Sequence, residues 1–152
     1  MLAMEVANDG TIFAGSWDGN LYKINKITGA KTLVGAMGFG SVMDFAFNSS
    51  GTLYAIDNSS NVNRLYTLNL STGAGTLAST ITGVDGLIMG IMFDSADKLY
   101  ATTYIGDSSF YQINPGSGAS TFIGKTGLFF SHGGDFTASA PGVPEGGATL
   151  SM

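Results

Sequence analysis

The chain has 152 residues, a formal net charge of −5 and no cysteine, with 44% hydrophobic and 11% charged residues. It is long enough for one domain with a core and too apolar for a disordered chain. Its six basic residues are scattered, which argues against nucleic-acid binding, and the missing cysteine excludes disulfides, thiolate metal sites and thiol nucleophiles.

The opening, MLAMEVANDG, has neither the basic nor the apolar region of a signal peptide. The expectation is a cytoplasmic chain or one whose true N-terminus lies upstream. No apolar run approaches the roughly 18 residues of a membrane helix. The first predicted strand is Met4–Val6 and the second lies in Gly10–Ala14. A tight hairpin follows at Asp18-Gly19. Trp17 sits beside it. Packing between neighbouring units is its plainer role; stacking on a sugar or anchoring a partner is its functional one.

From Leu21 the chain reads LYKINKITGAKTL, and the phrase returns as LYTLNLSTGAGTL from Leu65 and FYQINPGSGASTF from Phe110. Tyr22, Tyr66 and Tyr111 hold matching places at a period of about 45 residues. Asn25, Asn69 and Asn114 follow, then Gly29, Gly73 and Gly118. A second phrase precedes each: GTIFA (Gly10–Ala14), GTLYA (Gly51–Ala55) and DKLYA (Asp97–Ala101). Before that lie MEV, DFAF (Asp44–Phe47) and GIMF (Gly90–Phe93).

Each unit therefore predicts four short strands. In the second unit these are Phe45–Phe47, Thr52–Ile56, Arg64–Asn69 and Gly75–Thr80. Alternation in the third strand sets Tyr66 and Leu68 on one face and Leu65 and Thr67 on the other. In Asn-x-x-Thr/Ser-Gly, the Asn side chain accepts backbone amides ahead of it and the Gly supplies a positive φ before the chain reverses. Ser50-Gly51 is a second hairpin turn. The loop between second and third strands varies, Ser16–Asn20 being shorter than Asp57–Asn63, as befits an exposed loop.

Four antiparallel strands at this period predict an all-β fold, a β-propeller-like array of three four-stranded blades. The expected divisions are residues 1–41, 42–88 and 89–134 for the blades, and 135–152 for a partial strand and a disordered linker. Asp135-Phe136-Thr137 matches the start of a fourth inner strand, but no second strand follows. Propellers hold about 4–8 blades, so the ring is incomplete. An apolar face of about 400 Å² left bare at each end forgoes on the order of 10 kcal/mol of burial. That is comparable to a domain's whole stability of roughly 5–15 kcal/mol. The chain is then expected to belong to a longer one, or to self-associate and complete the ring.

His132, the single histidine, lies in SHGGD with Ser131 and Asp135. Triad members meet by folding rather than by adjacency, so the segment reads as a loop. One His without Cys also makes a zinc site improbable. No cofactor is expected. The Asp-rich turns at Asp57–Asn61, Asp94–Asp97 and Asp107 offer at most a weak Ca²⁺ site and read more simply as Asx turns.

After Phe136 the composition turns to Ala, Ser, Pro and Gly. Within this tail, Val143, Pro144, Glu145, Gly146, Gly147, Ala148, Thr149 and Leu150 resemble the opening of a PEP-CTERM sorting signal, whose common form is Val-Pro-Glu-Pro-Ala-Thr-Leu. Gly146-Gly147 replace the second proline, and the apolar helix and basic cluster that follow in the family are absent from the sequence. The LYxINxxTGA repeats are similar to those of PEP-CTERM proteins. The resemblance implies export from a Gram-negative cell, processing by an exosortase-type enzyme, and residence at the cell surface or in extracellular polysaccharide. The same repeats resemble those of pyrroloquinoline-quinone dehydrogenases, whose blades dock through a tryptophan after the Gly turn. Here Val34, Ala78 and Ile123 stand in that region, and MEV, DFAF and GIMF bring few charged groups to a central pocket. The expectation is a non-catalytic binding or scaffold protein whose partner is a protein or a glycan. The alternative is a fragment of a propeller enzyme of the quinoprotein or lyase type.

Overall fold

The computed structural model describes residues 3–129 and 133. Among these described residues twelve strands occur in chain order as three meanders. The first sheet holds β1 (Ala3–Val6), β2 (Ile12–Gly15), β3 (Asn20–Ile24) and β4 (Lys31–Ala36). The second holds β5 (Val42–Phe47), β6 (Leu53–Asp57), β7 (Arg64–Leu68) and β8 (Gly75–Thr80). The third holds β9 (Ile88–Phe93), β10 (Leu99–Thr103), β11 (Ser109–Ile113) and β12 (Ser120–Lys125). All within-sheet pairings are antiparallel. Among the described residues no helix is long and apolar enough to cross a membrane.

The recurring Asn builds the same turn three times. Asn25 Oδ1 accepts the amides of Ile27 and Thr28, Asn69 those of Ser71 and Thr72, and Asn114 those of Gly116 and Ser117. The Gly that ends each turn has positive φ, 71° at Gly29, 79° at Gly73 and 73° at Gly118. Each turn delivers the chain into an outer strand with a bulge against its neighbour, at Leu21/Tyr22, Leu65/Tyr66 and Phe110/Tyr111.

The inner strand of the second sheet begins earlier than the apolar run Phe45–Phe47 predicts. It starts at Val42 and carries Asp44 inside it, with a bulge between Val42 and Asp44. A buried carboxylate is costly unless it accepts hydrogen bonds. Asp44 meets that cost by accepting the Ile91 amide at 2.8 Å.

The sheets approach one another at their first strands, β1 against β5 and β5 against β9, and splay toward their fourth. Two apolar seams fill the space between them. Ala3, Phe13, Leu21 and Met37 pack with Val42, Phe45, Leu53, Ala55 and Leu68 in the first. Ala46, Ile56, Leu65 and Ile81 pack with Ile88, Ile91, Leu99, Ala101, Tyr111 and Ile113 in the second. The middle sheet is thus covered on both faces. Leu65 belongs to one seam while Leu68 and Tyr66 belong to the other, as the alternation along that strand predicts.

Candidate binding face

Two kinds of connection share one end of the sheets: the loop between second and third strands, and the segment leading from one sheet to the next. In the first sheet the loop is a tight turn. The Gly19 amide donates to Ser16 O at 3.0 Å, and Gly19 has φ +74°. Asp18 is held by the Tyr22 hydroxyl at 2.6 Å and the Asn20 amide at 3.1 Å. The Tyr22 hydrogen bond, foremost, holds its carboxyl below the ordinary value. Trp17 stands at the tip and is 69% exposed.

In the second sheet the longer loop contains a 3-10 turn at Ser59–Asn61, with positive φ at Ser60 and Asn61. Its base is rigid. Asp57, almost fully buried, accepts the Ser41 amide at 3.1 Å and the Ser59 hydroxyl at 2.6 Å, with the Arg64 guanidinium 3.8 Å away. Asn63 ties the loop to the next connection. Its carbonyl accepts Ile81 N, its Nδ2 donates to Gly86 O, and its Oδ1 accepts Ile88 N. Between the two segments lies an open cleft of about 510 Å³, walled by Asn61, Val62, Asn63, Thr80, Thr82 and Val84.

The third sheet contributes Tyr104, 42% exposed, whose amide donates to Leu87 O at 2.7 Å. Beside it Asp85 gathers the Ser109 hydroxyl at 2.6 Å, the Lys125 ammonium at 2.9 Å and the Thr103 hydroxyl at 3.2 Å. Burial raises the Asp85 carboxyl, but hydrogen bonds from Ser109, Lys125 and Tyr111 outweigh it and hold the group well below the ordinary carboxylate range. Burial, with Asp85 nearby, raises the Tyr111 phenol. Lys125 Nζ also donates to Ser109 Oγ at 2.6 Å. A serine–lysine pair of this kind is not a nucleophile: Ser109 is fully buried, and the ammonium is engaged by Asp85.

The three Asp-rich turns are not brought together. Asp57 and Asp107 flank loops at the Trp17 end, whereas Asp94 and Asp97 lie in the turn between β9 and β10, at the opposite end. Asp94 accepts the amides of Ala96 and Lys98, and Asp97 accepts the amide and hydroxyl of Ser49. Among the described residues no three His, Cys, Asp or Glu side chains gather where they could hold a metal ion. His132, Asp135-Phe136-Thr137 and the motif Val143–Leu150 lie outside the described residues.

The sequence reading missed Tyr104, Asn63 and the Asp85–Ser109–Lys125 group. Asn63 had a local signal, a polar amide directly before a strand. The Asp85 group had none, because its members come from separate parts of the chain.

No protein-family model matches this chain, and no curated protein does. Solved structures do match. Against a chain of the nidogen/laminin complex, the TM-score is 0.65 at 16% identity, covering 87% of this chain and 51% of that one. Against catalytically inactive virginiamycin B lyase from Staphylococcus aureus with quinupristin, it is 0.62 at 17% identity, covering 87% and 44%. Against the PQQ-bound aldose sugar dehydrogenase from Streptomyces coelicolor, it is 0.57 at 19% identity, covering 76% and 44%. The nidogen and lyase folds are six-bladed β-propellers. The three sheets of this chain are thus propeller blades in a partial ring. The chain spans about half the length of the solved chains it matches.

Proposed function

We propose that this chain is a non-catalytic binding module, exported and held at the cell surface, that recognises a protein or a glycan through the face bearing Trp17. The supporting observation is Trp17 itself. A large aromatic left 69% exposed on a turn anchored by Asp18 offers a flat apolar surface at little entropic cost. Tyr104 and the cleft beside Asn61 and Asn63 lie on the same face and add amide and hydroxyl groups suited to hydroxyl-rich or backbone ligands. The PEP-CTERM-like tail favours the surface address and an exosortase-type processing partner. An enzyme reading would call for ionisable groups converging on the ring's axis. The inner-strand Asp44 is instead buried and engaged by the Ile91 amide.

Trp17 is the single tryptophan, so intrinsic fluorescence reports directly on this face. Titration with bacterial exopolysaccharide fractions or cell-surface protein extracts is expected to shift or quench it. Trp17→Ala is expected to abolish retention on the same immobilised fractions with no loss of folding. Unchanged retention by the Trp17→Ala variant would overturn the reading.

A further inference from the structure

The two internal seams follow one rule, and the same rule applied once more points outward. On the face that each blade turns to its predecessor, matching residues pair strand by strand: Met4, Ala14, Tyr22 and Leu33 in the first blade, Phe45, Ala55, Tyr66 and Leu77 in the second, Ile91, Ala101, Tyr111 and Phe122 in the third. The rim residues Leu33, Leu77 and Phe122 are exposed in all three. The inner position differs. Phe45 and Ile91 are fully buried against the preceding blade, while Met4 is 51% exposed.

The glycines repeat the pattern. The Thr72-Gly73 turn of the second blade lies against Gly35 on the outer strand of the first, so closely that a Cβ at either glycine would collide with backbone. The Gly118 turn of the third blade lies in the same way against Thr80 and Ile81. A Cβ added at Gly29, in the turn of the first blade, would meet no described atom within 4 Å, and neither would one at Gly124, which holds the place of Gly35 in the third blade. The connections agree as well. Phe39, leaving the first blade, stacks on Tyr66 of the second at 4.2 Å. Leu128, leaving the third blade, is 62% exposed.

We propose that two copies of this chain close a six-bladed ring, the third blade of each receiving the first blade of the other. Gly29 of one copy seats on Gly124 of its partner, Leu128 covers Tyr22, and Met4 enters the inner seam beside Gly133, whose amide donates to Met89 O at 3.3 Å. Three blades are half of a six-bladed ring, so a two-fold axis along the channel brings the bare face of the first blade against that of the third at both junctions. The contact is head to tail but closed. It predicts a dimer and no longer assemblies.

The test is sedimentation and light scattering of the full chain over a wide concentration range. The expected mass is twice the 15.6 kDa of one chain, without a ladder above it. Gly124→Glu and Met4→Glu each change a site that is open in the single chain and closed in the ring. Because each falls on both junctions, a loss of about tenfold per junction gives about 100-fold weaker association. Circular dichroism checks that both variants remain folded. If Gly124→Glu unfolds, Leu128→Glu replaces it, on the same side of the junction. A monomer at every concentration would overturn the proposal and give these faces another occupant, such as further blades of a longer chain. A ladder of oligomers or a Gly124→Glu variant still fully dimeric would overturn it equally.

Discussion

The two seams do the same job with different chemistry. Between the first and second blades the side-chain contact is almost wholly apolar, with Phe45, Leu21 and Met37 at its centre and Phe39 stacked on Tyr66. Between the second and third blades an apolar centre is bordered by buried and part-buried polar ties. Asp44 accepts Ile91 N, Asn58 Nδ2 donates to Ile88 O, Ser79 Oγ donates to Pro115 O, and Tyr111 Oη accepts Asp85 N. Burial of hydrocarbon is tolerant of geometry, while a buried hydrogen bond is costly to leave unmade. The first seam therefore supplies stability, and the second supplies register as well as stability.

That difference can be broken in graded steps. The largest effect is expected from Phe45→Ala, which empties the first seam at a fully buried aromatic. The loss should be about 3–5 kcal/mol by urea denaturation. A loss under about 1 kcal/mol would mean that the ring is not packed there. Next comes Asn63→Ala. It strands the buried Ile88 amide and Gly86 carbonyl, and about 2 kcal/mol should go with them. Hydrogen exchange should speed up first in residues 81–88, and uniform acceleration instead would contradict the local role.

The smallest effect concerns Asp85, which is 39% exposed, so its ion pair with Lys125 is screened by solvent. Its carboxyl is depressed in the folded state. Its contribution is thus present above the unfolded value near 3.8 and lost as the pH falls further, because the unfolded chain takes up the proton first. Asp85→Asn should lower Tm slightly at neutral pH and flatten its fall in acid. An equally steep fall in both proteins would remove Asp85 from the account.

What could be read from sequence was local. The Asn-x-x-Thr/Ser-Gly phrase carries its own turn geometry, so Asn25, Asn69 and Asn114 declare three strand reversals without tertiary information. The alternation of Leu65 and Tyr66 likewise declares a blade covered on both faces. What escaped was set by neighbours distant in sequence. Asp44 looks like the end of a strand until the Ile91 amide is placed beside it. Met37 and Ile81 look like loop residues, yet both are buried in the seams, because the connections themselves dock between blades.

The central claim is that each repeat is a wedge and that the middle one is buried on both sides. Methyl and aromatic NOEs in the full chain test this directly. Leu65 should contact the third blade, through Ile91 and Ile113, while Phe45 and Leu68 should contact the first, through Phe13 and Met37. Finding Leu65 and Leu68 against the same sheet, or either methyl group facing water, would contradict the account.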